Sequence, residues 1–408
     1  MTFPFSSARS FRAFATLALV VLAVSLCFAP LASAQKNLLY INSNVSVDGQ
    51  NSIIALENDG AGNLSPLPGS PFPTLGTGVA GVGDPTKDAQ WDSDQETVID
   101  PSGKLLLAVN GHSNDLSSFT INADGTLSLV AGSPVPSGGI QPASIGFLPN
   151  ALGNSISLAV IVNKNADPFQ LNSSTVPNYT TFQVGPRGIF KMNAGSNYPL
   201  PKGAAPAQAL VPPTGRAAFF GMEFLNATVS SYTLNRQGII SKVNSLTPPG
   251  STPYIVGGVA NPNVRGFYVG LPPQSQIGVY SYDTGMLMSY IKEVPNAGMA
   301  PCWLAINKQG TRLYTSETVS GTMSVYDITN SRTPVQIQHM AVAHTGTTPY
   351  PAHLKLDASG KFLYILDRNG FLHVFDVNAD GTVAENHTPY GLSLPAGTVP
   401  LGLSVLTK

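Results

Sequence analysis

The chain has 408 residues, of which 21 are basic and 22 acidic, so 11% are charged where soluble domains average about 25%. A formal net charge of −1 provides no long-range field to attract nucleic acid or an anionic membrane surface. We therefore expect no nucleic-acid partner. Glycine and proline are frequent, at 40 and 34 residues, and 43% of the chain is hydrophobic, which predicts a turn-rich chain with ample material for a core.

Residues 1–34 have the pattern of a secretory signal peptide. Two arginines provide the positive start, residues 13–31 the apolar run, and residues 32–34 a small-residue cleavage site. A retained anchor helix and a lipoprotein at Cys27 are the alternatives, and a break in the apolar run and a large residue before the cysteine disfavour them. We predict an exported protein, periplasmic or extracellular, whose mature chain of residues 35–408 has no membrane span.

Short strands repeat along the mature chain. Runs that enter a strand through a tight turn occur at residues 103–110, 215–222, 264–271, 310–317 and 360–367. Alternating runs, typical of a half-buried antiparallel strand, follow at residues 114–122, 227–235, 275–283, 321–329 and 370–378. Proline-led apolar runs precede hairpins at residues 142–148, 206–211, 253–259, 301–306 and 351–356. A fourth strand is predicted in the matching segments 62–71 and 125–134.

This period of close to 50 residues predicts a propeller. Five units and a further one around residues 155–163 make six. The runs at residues 38–43 and 52–58 lack a preceding strand, whereas residues 400–406 form a strand without a hairpin. Joining these two ends completes a seventh blade and removes the bare sheet edges.

The sequence therefore predicts an all-β fold, a seven-bladed β-propeller of four-stranded antiparallel blades, as a single domain of residues 35–408. The ring is closed by the C-terminal strand joining the N-terminal blade. A solenoid and rings of six or eight blades are the alternatives. Two inserts, at residues 74–95 and 150–203, interrupt the period, and long loops in a compact fold are often functional.

The motifs DPSGKLLLAVN, INADGTLS and DASGKFLYILDR resemble those of the lactonase-like seven-bladed propellers, which include bacterial 6-phosphogluconolactonase and the YVTN-type surface propellers. The resemblance covers the mature chain and implies its fold. In the enzymatic members, an Arg-His pair opens an inner strand and a glutamate follows the next strand. Glu223 occupies the glutamate position here, but Ala207 and Gln208 replace the Arg-His pair.

Opening a lactone needs a base and a group that holds the developing oxyanion. Glu223 is the candidate base, and His353 and Arg368 are the candidate acid and oxyanion clamp. In a propeller, the positions of His353 and Arg368 lie near one mouth of the central channel. Residues at equivalent turns, which would form one polar ring with a role in ligand binding, are His112, Lys164, Glu223, Glu317, Asp367 and Arg368. The alternative for each is a solvated turn residue.

Three further features stand out, and the first two have two interpretations each. Trp303 opens an inner strand and either stacks a sugar ring or belongs to the core. Asp92, Asp94 and Glu96 alternate, as they would to bind a hard cation such as Ca²⁺, but no EF-hand spacing accompanies them. We expect a solvated acidic lip there, and predict no metal site and no cofactor. Cys302 is expected to be a buried thiol.

Two functions remain open. The missing Arg-His pair favours a non-catalytic binding module that holds a carbohydrate-like ligand or a protein of the cell envelope. The alternative is a hydrolase that opens a sugar-type lactone ring. We expect a monomer in either case.

Overall fold

The computed structural model describes residues 1–2, 35–82, 92–170, 174–213, 216–250 and 254–408. The predicted signal peptide falls almost entirely outside these residues, so it stays a prediction. Residues 36–408 form one compact unit of seven antiparallel sheets, which are the blades of a propeller. The described residues include no helix long and apolar enough to cross a membrane.

The innermost strands of the seven blades contact one another around a central channel. In the order of blades 1 to 7, they are β32 (Leu401–Thr407), β5 (Thr97–Ile99), β10 (Pro142–Gly153), β15 (Pro206–Leu210), β19 (Gly258–Ala260), β23 (Pro301–Ile306) and β27 (Pro351–Leu356). Blade 5 differs from its prediction, because only Gly258–Ala260 pair as a strand. Ile255 and Val256 are buried in the hydrophobic core without entering the sheet.

The second strand of each blade pairs with the innermost one. These strands are β1 (Asn37–Asn42), β6 (Leu105–Asn110), β11 (Ile156–Asn163), β16 (Ala218–Glu223), β20 (Gly266–Leu271), β24 (Arg312–Glu317) and β28 (Phe362–Asp367). In β6, β16, β20 and β28 every residue is buried, because each blade is covered on both faces by its neighbours. Gly270 shows how close the blades lie, since a Cβ atom there would stand 2.1 Å from the carbonyl oxygen of Pro301.

The third and fourth strands complete the blades. The third strands are β2 (Ser52–Asn58), β7 (Asp115–Ile121), β12 (Asn178–Gly185), β17 (Val229–Leu234), β21 (Gln276–Tyr282), β25 (Thr322–Asp327) and β29 (Phe371–Val377). The fourth strands are β3 (Leu64–Pro66), β8 (Leu127–Leu129), β13 (Gly188–Met192), β18 (Ile240–Leu246), β22 (Met288–Pro295), β26 (Val335–Ala341) and β30 (Val383–Ala384). Two-residue strands that pair with a third strand are β4 (Phe72–Pro73), β9 (Val135–Pro136), β14 (Tyr198–Pro199) and β31 (Tyr390–Gly391).

The ring closes through the first blade, as the sequence predicted. Strand β1 pairs antiparallel with β2 on one side and with β32 on the other, with Tyr40 opposite Ser404. Blade 1 therefore contains both ends of residues 36–408. The predictions of seven blades, of four principal strands in each and of closure by the C-terminal strand are all confirmed.

Large apolar side chains fill the spaces between blades. Between blades 4 and 5, for example, the ring of Phe267 stacks on Phe220 at 4.3 Å and on Tyr280 at 4.7 Å between ring centroids. Such pairs contribute about 0.5–1.5 kcal/mol beyond the burial of their area. The free thiol of Cys302 is also buried, as expected.

Candidate functional site

Residues 92–96, here called the channel segment, pass through the middle of the ring just before β5. The segment forms backbone hydrogen bonds with the inner strands of two blades. The amide of Asp94 donates to the carbonyl of Ala207 in β15 at 3.2 Å, and the amide of Ile145 in β10 donates to the carbonyl of Gln95 at 2.9 Å. On the other side, the indole of Trp303 in β23 donates to the carbonyl of Ser93 at 2.8 Å.

The acidic residues of this segment are buried. Asp92, Asp94 and Glu96 are exposed by 5%, 4% and 1%, so the prediction of a solvated acidic lip is wrong. A carboxylate leaves water only if charges or hydrogen bonds compensate the loss of hydration. The partners come from blades 3, 4 and 7, at positions far along the chain from the segment.

Two basic side chains converge on Asp92. The guanidinium of Arg368 donates to the carboxylate of Asp92 at 2.7 Å, and the ammonium of Lys164 donates to the Asp92 carbonyl oxygen. Burial raises the pKa of Asp92, against the attraction of both cations. Burial also lowers the pKa of Lys164 to about 7, although Asp92 and Glu223 act to raise it. Lys164 lies 4.3 Å above the ring centroid of Phe224, which covers it.

Asp94, Glu96 and His353 form a second group. Nδ1 of His353 lies 3.6 Å from Asp94 and 3.5 Å from Glu96, beyond the usual hydrogen-bond distance. Gln208, one of the residues that replace the Arg-His pair, donates to the Asp94 carboxylate at 3.0 Å. Its own amide oxygen accepts from the Gly258 amide, which fixes the orientation of this side chain.

Glu223 ends β16 and is 6% exposed. Its carboxylate accepts a hydrogen bond from the amide of Ala205 at 3.2 Å. Burial raises the pKa of Glu223 to about 7, against that hydrogen bond and the attraction of Lys164. A carboxyl group in this environment changes protonation state near neutral pH, as a general base requires.

Glu317 and Asp367 end the second strands of blades 6 and 7, at the position of Glu223, but they face partners in their own blades or in the connections that lead into them. Glu317 accepts hydrogen bonds from Asn296 and Thr322, both at 3.0 Å. Asp367 accepts from the amides of Tyr350 and Asn369 and lies 3.6 Å from His373. These contacts support the blades, and the polar ring predicted from the repeats is therefore incomplete.

The remaining predicted residues also have defined places. His112 pairs with Asp167 at 2.7 Å and so links blades 2 and 3. Trp303 is 1% exposed and lies against His353 with ring centroids 5.1 Å apart, so it belongs to the core and offers no open face to a sugar. The interpretation as solvated turn residues is wrong for Lys164, Glu317 and Asp367, which have 0% exposure.

The structure thus brings Lys164, His353 and Arg368 against the channel segment, and Lys164 interacts electrostatically with Glu223 as well. Residues whose place at the site sequence reasoning missed are Ser93, Asp94, Glu96 and Gln208. The alternation of acids just before an inner strand, in a chain with few charges, was the available signal. It was interpreted as a surface feature because no EF-hand spacing accompanies it.

A cavity of about 450 Å³ lies beside Gln95 on the side of the turns between first and second strands. Its other lining residues include Val98, Phe147, Val211 and Arg216. The side chain of Gln95 accepts a hydrogen bond from Gln208 at 2.9 Å, which connects the wall of this cavity to the buried group around Asp94.

Comparisons with known proteins agree with this architecture. A family model described as "Lactonase, 7-bladed beta-propeller" matches residues 266–395. No curated protein matches the chain. Among solved structures, a 6-phosphogluconolactonase candidate from Bacteroides fragilis is similar at a TM-score of 0.68 and 14% identity, covering 92% of this chain and 99% of that one.

Two further solved structures are similar to the same degree. A 6-phosphogluconolactonase candidate from Bacteroides uniformis has a TM-score of 0.68 and 14% identity, covering 91% of this chain and 100% of its own. The periplasmic gluconolactonase PpgL of Pseudomonas aeruginosa has a TM-score of 0.66 and 14% identity, covering 91% and 99%. The chain is thus a seven-bladed β-propeller similar to the lactonase family, in sequence over residues 266–395 and in fold over about 91% of its length.

Proposed function

We propose that the protein is a hydrolase that opens a sugar-type lactone ring, with Glu223 as its general base. The observation that carries this proposal is the buried carboxyl group of Glu223 at the end of β16, within electrostatic range of the buried ammonium of Lys164; burial moves both pKa values to about 7. The two groups interact electrostatically at one end of the channel. The similarity to lactonase propellers supports hydrolysis more than the non-catalytic binding module that the sequence favoured.

In the reaction, the carboxylate of Glu223 takes a proton from a water molecule, and the resulting hydroxide attacks the lactone carbonyl carbon. The negative charge that develops on the carbonyl oxygen is stabilised by the nearby ammonium of Lys164. Collapse of the tetrahedral intermediate breaks the ring C–O bond, and Glu223 returns its proton to the leaving alkoxide. The product is an aldonic acid, which ionises and releases one proton at neutral pH.

Other residues have more limited roles in this proposal. Arg368 is held by Asp92, so it contributes positive charge to the site but is not assigned as the oxyanion clamp. His353 is given no proton transfer, because its Nδ1 faces Asp94 and Glu96. Lys164 is fully buried and bound to the Asp92 carbonyl, so it acts on the developing oxyanion through its charge and not by direct contact.

The nature of the site favours a lactone without a phosphate group. A phosphate binds where several cations or amides face it. Here both Lys164 and Arg368 are engaged by Asp92, which leaves a site with little positive charge for a dianion. The export predicted from residues 1–34 also favours an unphosphorylated sugar lactone, and N-terminal sequencing of the protein from separated cell fractions tests the predicted export.

The test is proton release from glucono-δ-lactone by the purified protein. We expect turnover above spontaneous hydrolysis and a loss of at least about 100-fold in Glu223→Gln. Glu317→Gln is the matched control, because Glu317 ends the equivalent strand and is hydrogen-bonded to Asn296 and Thr322; this variant should keep its turnover. Equal rates for the wild type and Glu223→Gln, or no turnover by the folded wild type across a panel of aldonolactones, would reject the proposal.

A further inference from the structure

Three buried side chains at the centre of the ring face one another without forming hydrogen bonds. Asp94, Glu96 and His353 each offer one ligand atom, and these atoms all lie within 4.8 Å of one another. Among the described residues, Oε2 of Glu96 and both ring nitrogens of His353 have no hydrogen-bond partner. His353 and Glu96 are each 1% exposed, so these atoms are withheld from bulk water as well. A buried polar atom without a partner is costly, and Oε2 of Glu96 and Nδ1 of His353, which face each other at 3.5 Å, need an explanation.

The spacing of these atoms is that of ligands around a metal ion. Nitrogen and carboxylate ligands lie roughly 2.1 Å from a tetrahedral cation such as Zn²⁺, which places neighbouring ligand atoms roughly 3.4 Å apart. The observed separations from Nδ1 of His353 are 3.6 Å to Asp94 and 3.5 Å to Glu96. They are too long for good hydrogen bonds, yet they fit two edges of a coordination polyhedron.

Surrounding groups hold both carboxylates in place. Gln208 donates to Oδ2 of Asp94 at 3.0 Å, while Oδ1 faces His353. The hydroxyl of Ser93 donates to Oε1 of Glu96 at 2.7 Å, so Oε2 remains for another ligand. Hydrogen bonds of this kind orient the ligands of metal sites in proteins.

Two glycines leave room for this group. A Cβ atom on Gly257 would lie 3.0 Å from the Asp94 carboxylate, and one on Gly402 would lie 2.9 Å from Cβ of Glu96. Gly257 immediately precedes the inner strand β19, and Gly402 lies in the inner strand β32. Larger residues at these positions would crowd the carboxylates.

The charges at the site also favour a dication. Asp92 is compensated by Arg368, but Asp94 and Glu96 share His353, with Lys355 as a further charge that acts on Asp94. One protonated imidazole cannot form a full hydrogen bond to both carboxylates at these distances. A doubly charged cation with a neutral imidazole neutralises both carboxylates at once.

We infer that Asp94, Glu96 and His353 bind one divalent transition-metal cation, Zn²⁺ or Mn²⁺, at the centre of the propeller. A set of one imidazole and two carboxylates suits these ions, whereas Ca²⁺ prefers six to eight oxygen ligands, more than the three residues provide. The site does not depend on the proposed lactone hydrolysis. By joining the segment before blade 2 to the inner strand of blade 7, the cation fixes the channel segment in the ring.

The experiment measures metal binding by the full chain. The protein is stripped with a chelator, dialysed against Zn²⁺, Mn²⁺ or Ca²⁺ alone, and analysed for bound metal. We expect one equivalent of Zn²⁺ or Mn²⁺, weaker binding of Ca²⁺, and a higher midpoint of thermal unfolding with the bound ion. Substituting Co²⁺ gives a visible spectrum that reports a tetrahedral site.

Variants identify the ligands. Glu96→Gln, which keeps the size of the side chain, should weaken the binding of Zn²⁺ by at least about 100-fold, and Ser93→Ala by about tenfold, since it only releases the glutamate. Glu317→Gln removes a buried carboxylate elsewhere and should bind as the wild type does. Circular dichroism establishes that each variant is folded.

Two results would overturn the inference. One is a folded wild-type protein that takes up none of the three cations at micromolar concentration. The other is a stoichiometric metal whose affinity and Co²⁺ spectrum are unchanged in Glu96→Gln and Ser93→Ala. Loss of lactone turnover alone would not bear on the metal site. If the protein binds metal as expected but hydrolyses no lactone, only the proposed function is rejected.

Discussion

The guanidinium of Arg368, in the turn between β28 and β29, lies 2.7 Å from the carboxylate of Asp92, 276 residues earlier in the chain. Both side chains are almost fully buried, with exposed fractions of 10% and 8%. The pair connects blade 7 to the channel segment across the centre of the ring. Its strength governs how firmly that segment is held.

Removing the charge of Asp92 should therefore destabilise the whole propeller. Asp92→Asn leaves the buried guanidinium without its counter-charge, and we expect the free energy of unfolding to fall by about 3 kcal/mol. Denaturation by guanidinium chloride measures the change. Asp48→Asn, at an exposed turn position, is the control and should change stability by less than about 0.5 kcal/mol. An equal effect of both substitutions would contradict a structural role for the pair.

Glu223 should make stability fall as the solution is made less acidic. Its folded pKa of about 7 lies above the unfolded value of 4.5, so between these values the folded state holds a proton that the unfolded state has lost. The contribution of Glu223 to stability is then fully present below about pH 4.5 and decreases as pH rises towards 7. Urea denaturation at a series of pH values should show this slope in the wild type and a smaller one in Glu223→Gln. An unchanged slope in the variant would assign the pH dependence to other groups.

Lys164 should have the opposite effect on stability, in a higher range of pH. Burial lowers its folded pKa to about 7 from an unfolded value of 10.5, so between these values the unfolded state binds more protons. Stability is expected to rise with pH over that window. Lys164→Met removes the titrating group, so the free energy of unfolding of this variant should no longer rise with pH over that range. Lys104→Met, at the start of the second strand in blade 2, serves as the control and should keep this rise.

The closure of the ring predicts a strong effect of a single leucine. Leu403 in β32 is 1% exposed and packs with Leu39 and Leu372, so Leu403→Ala should cost about 3 kcal/mol of stability. Leu406→Ala, in the same strand but half-buried, should cost about 1 kcal/mol. Chemical denaturation compares the two. If both substitutions lower the free energy of unfolding by an equally small amount, the last strand contributes less to closure than its packing implies.

Much of the fold was predictable because each blade repeats the same local pattern. Proline-led runs, tight turns and alternating strands recur, and the complementary ends indicated closure through β1 and β32. The short innermost strand of blade 2, Thr97–Ile99, escaped prediction since it lacks the leading proline and follows a long insert. The innermost strand of blade 5 was predicted too long, because its proline-led apolar run fills the core and only its end pairs in the sheet.

The site was less accessible to prediction. The repeats correctly show that Glu223, Glu317 and Asp367 are equivalent, yet their surroundings differ. Glu317 is hydrogen-bonded to Asn296 and Thr322, whereas Glu223 interacts electrostatically with Lys164. Which of the equivalent carboxylates faces the channel depends on contacts with other blades, and those contacts have no local sequence pattern.

The passage of the channel segment through the ring has a consequence for synthesis on the ribosome. Its partners emerge at very different times: Lys164 and Gln208 soon after the segment, Trp303 later, and His353 and Arg368 near the end. Until blade 7 has been made, the acids of residues 92–96 have only part of their compensating charge. A chain that stops early thus carries uncompensated carboxylates at its centre, so the same residues that form the candidate site also distinguish a finished molecule from an unfinished one.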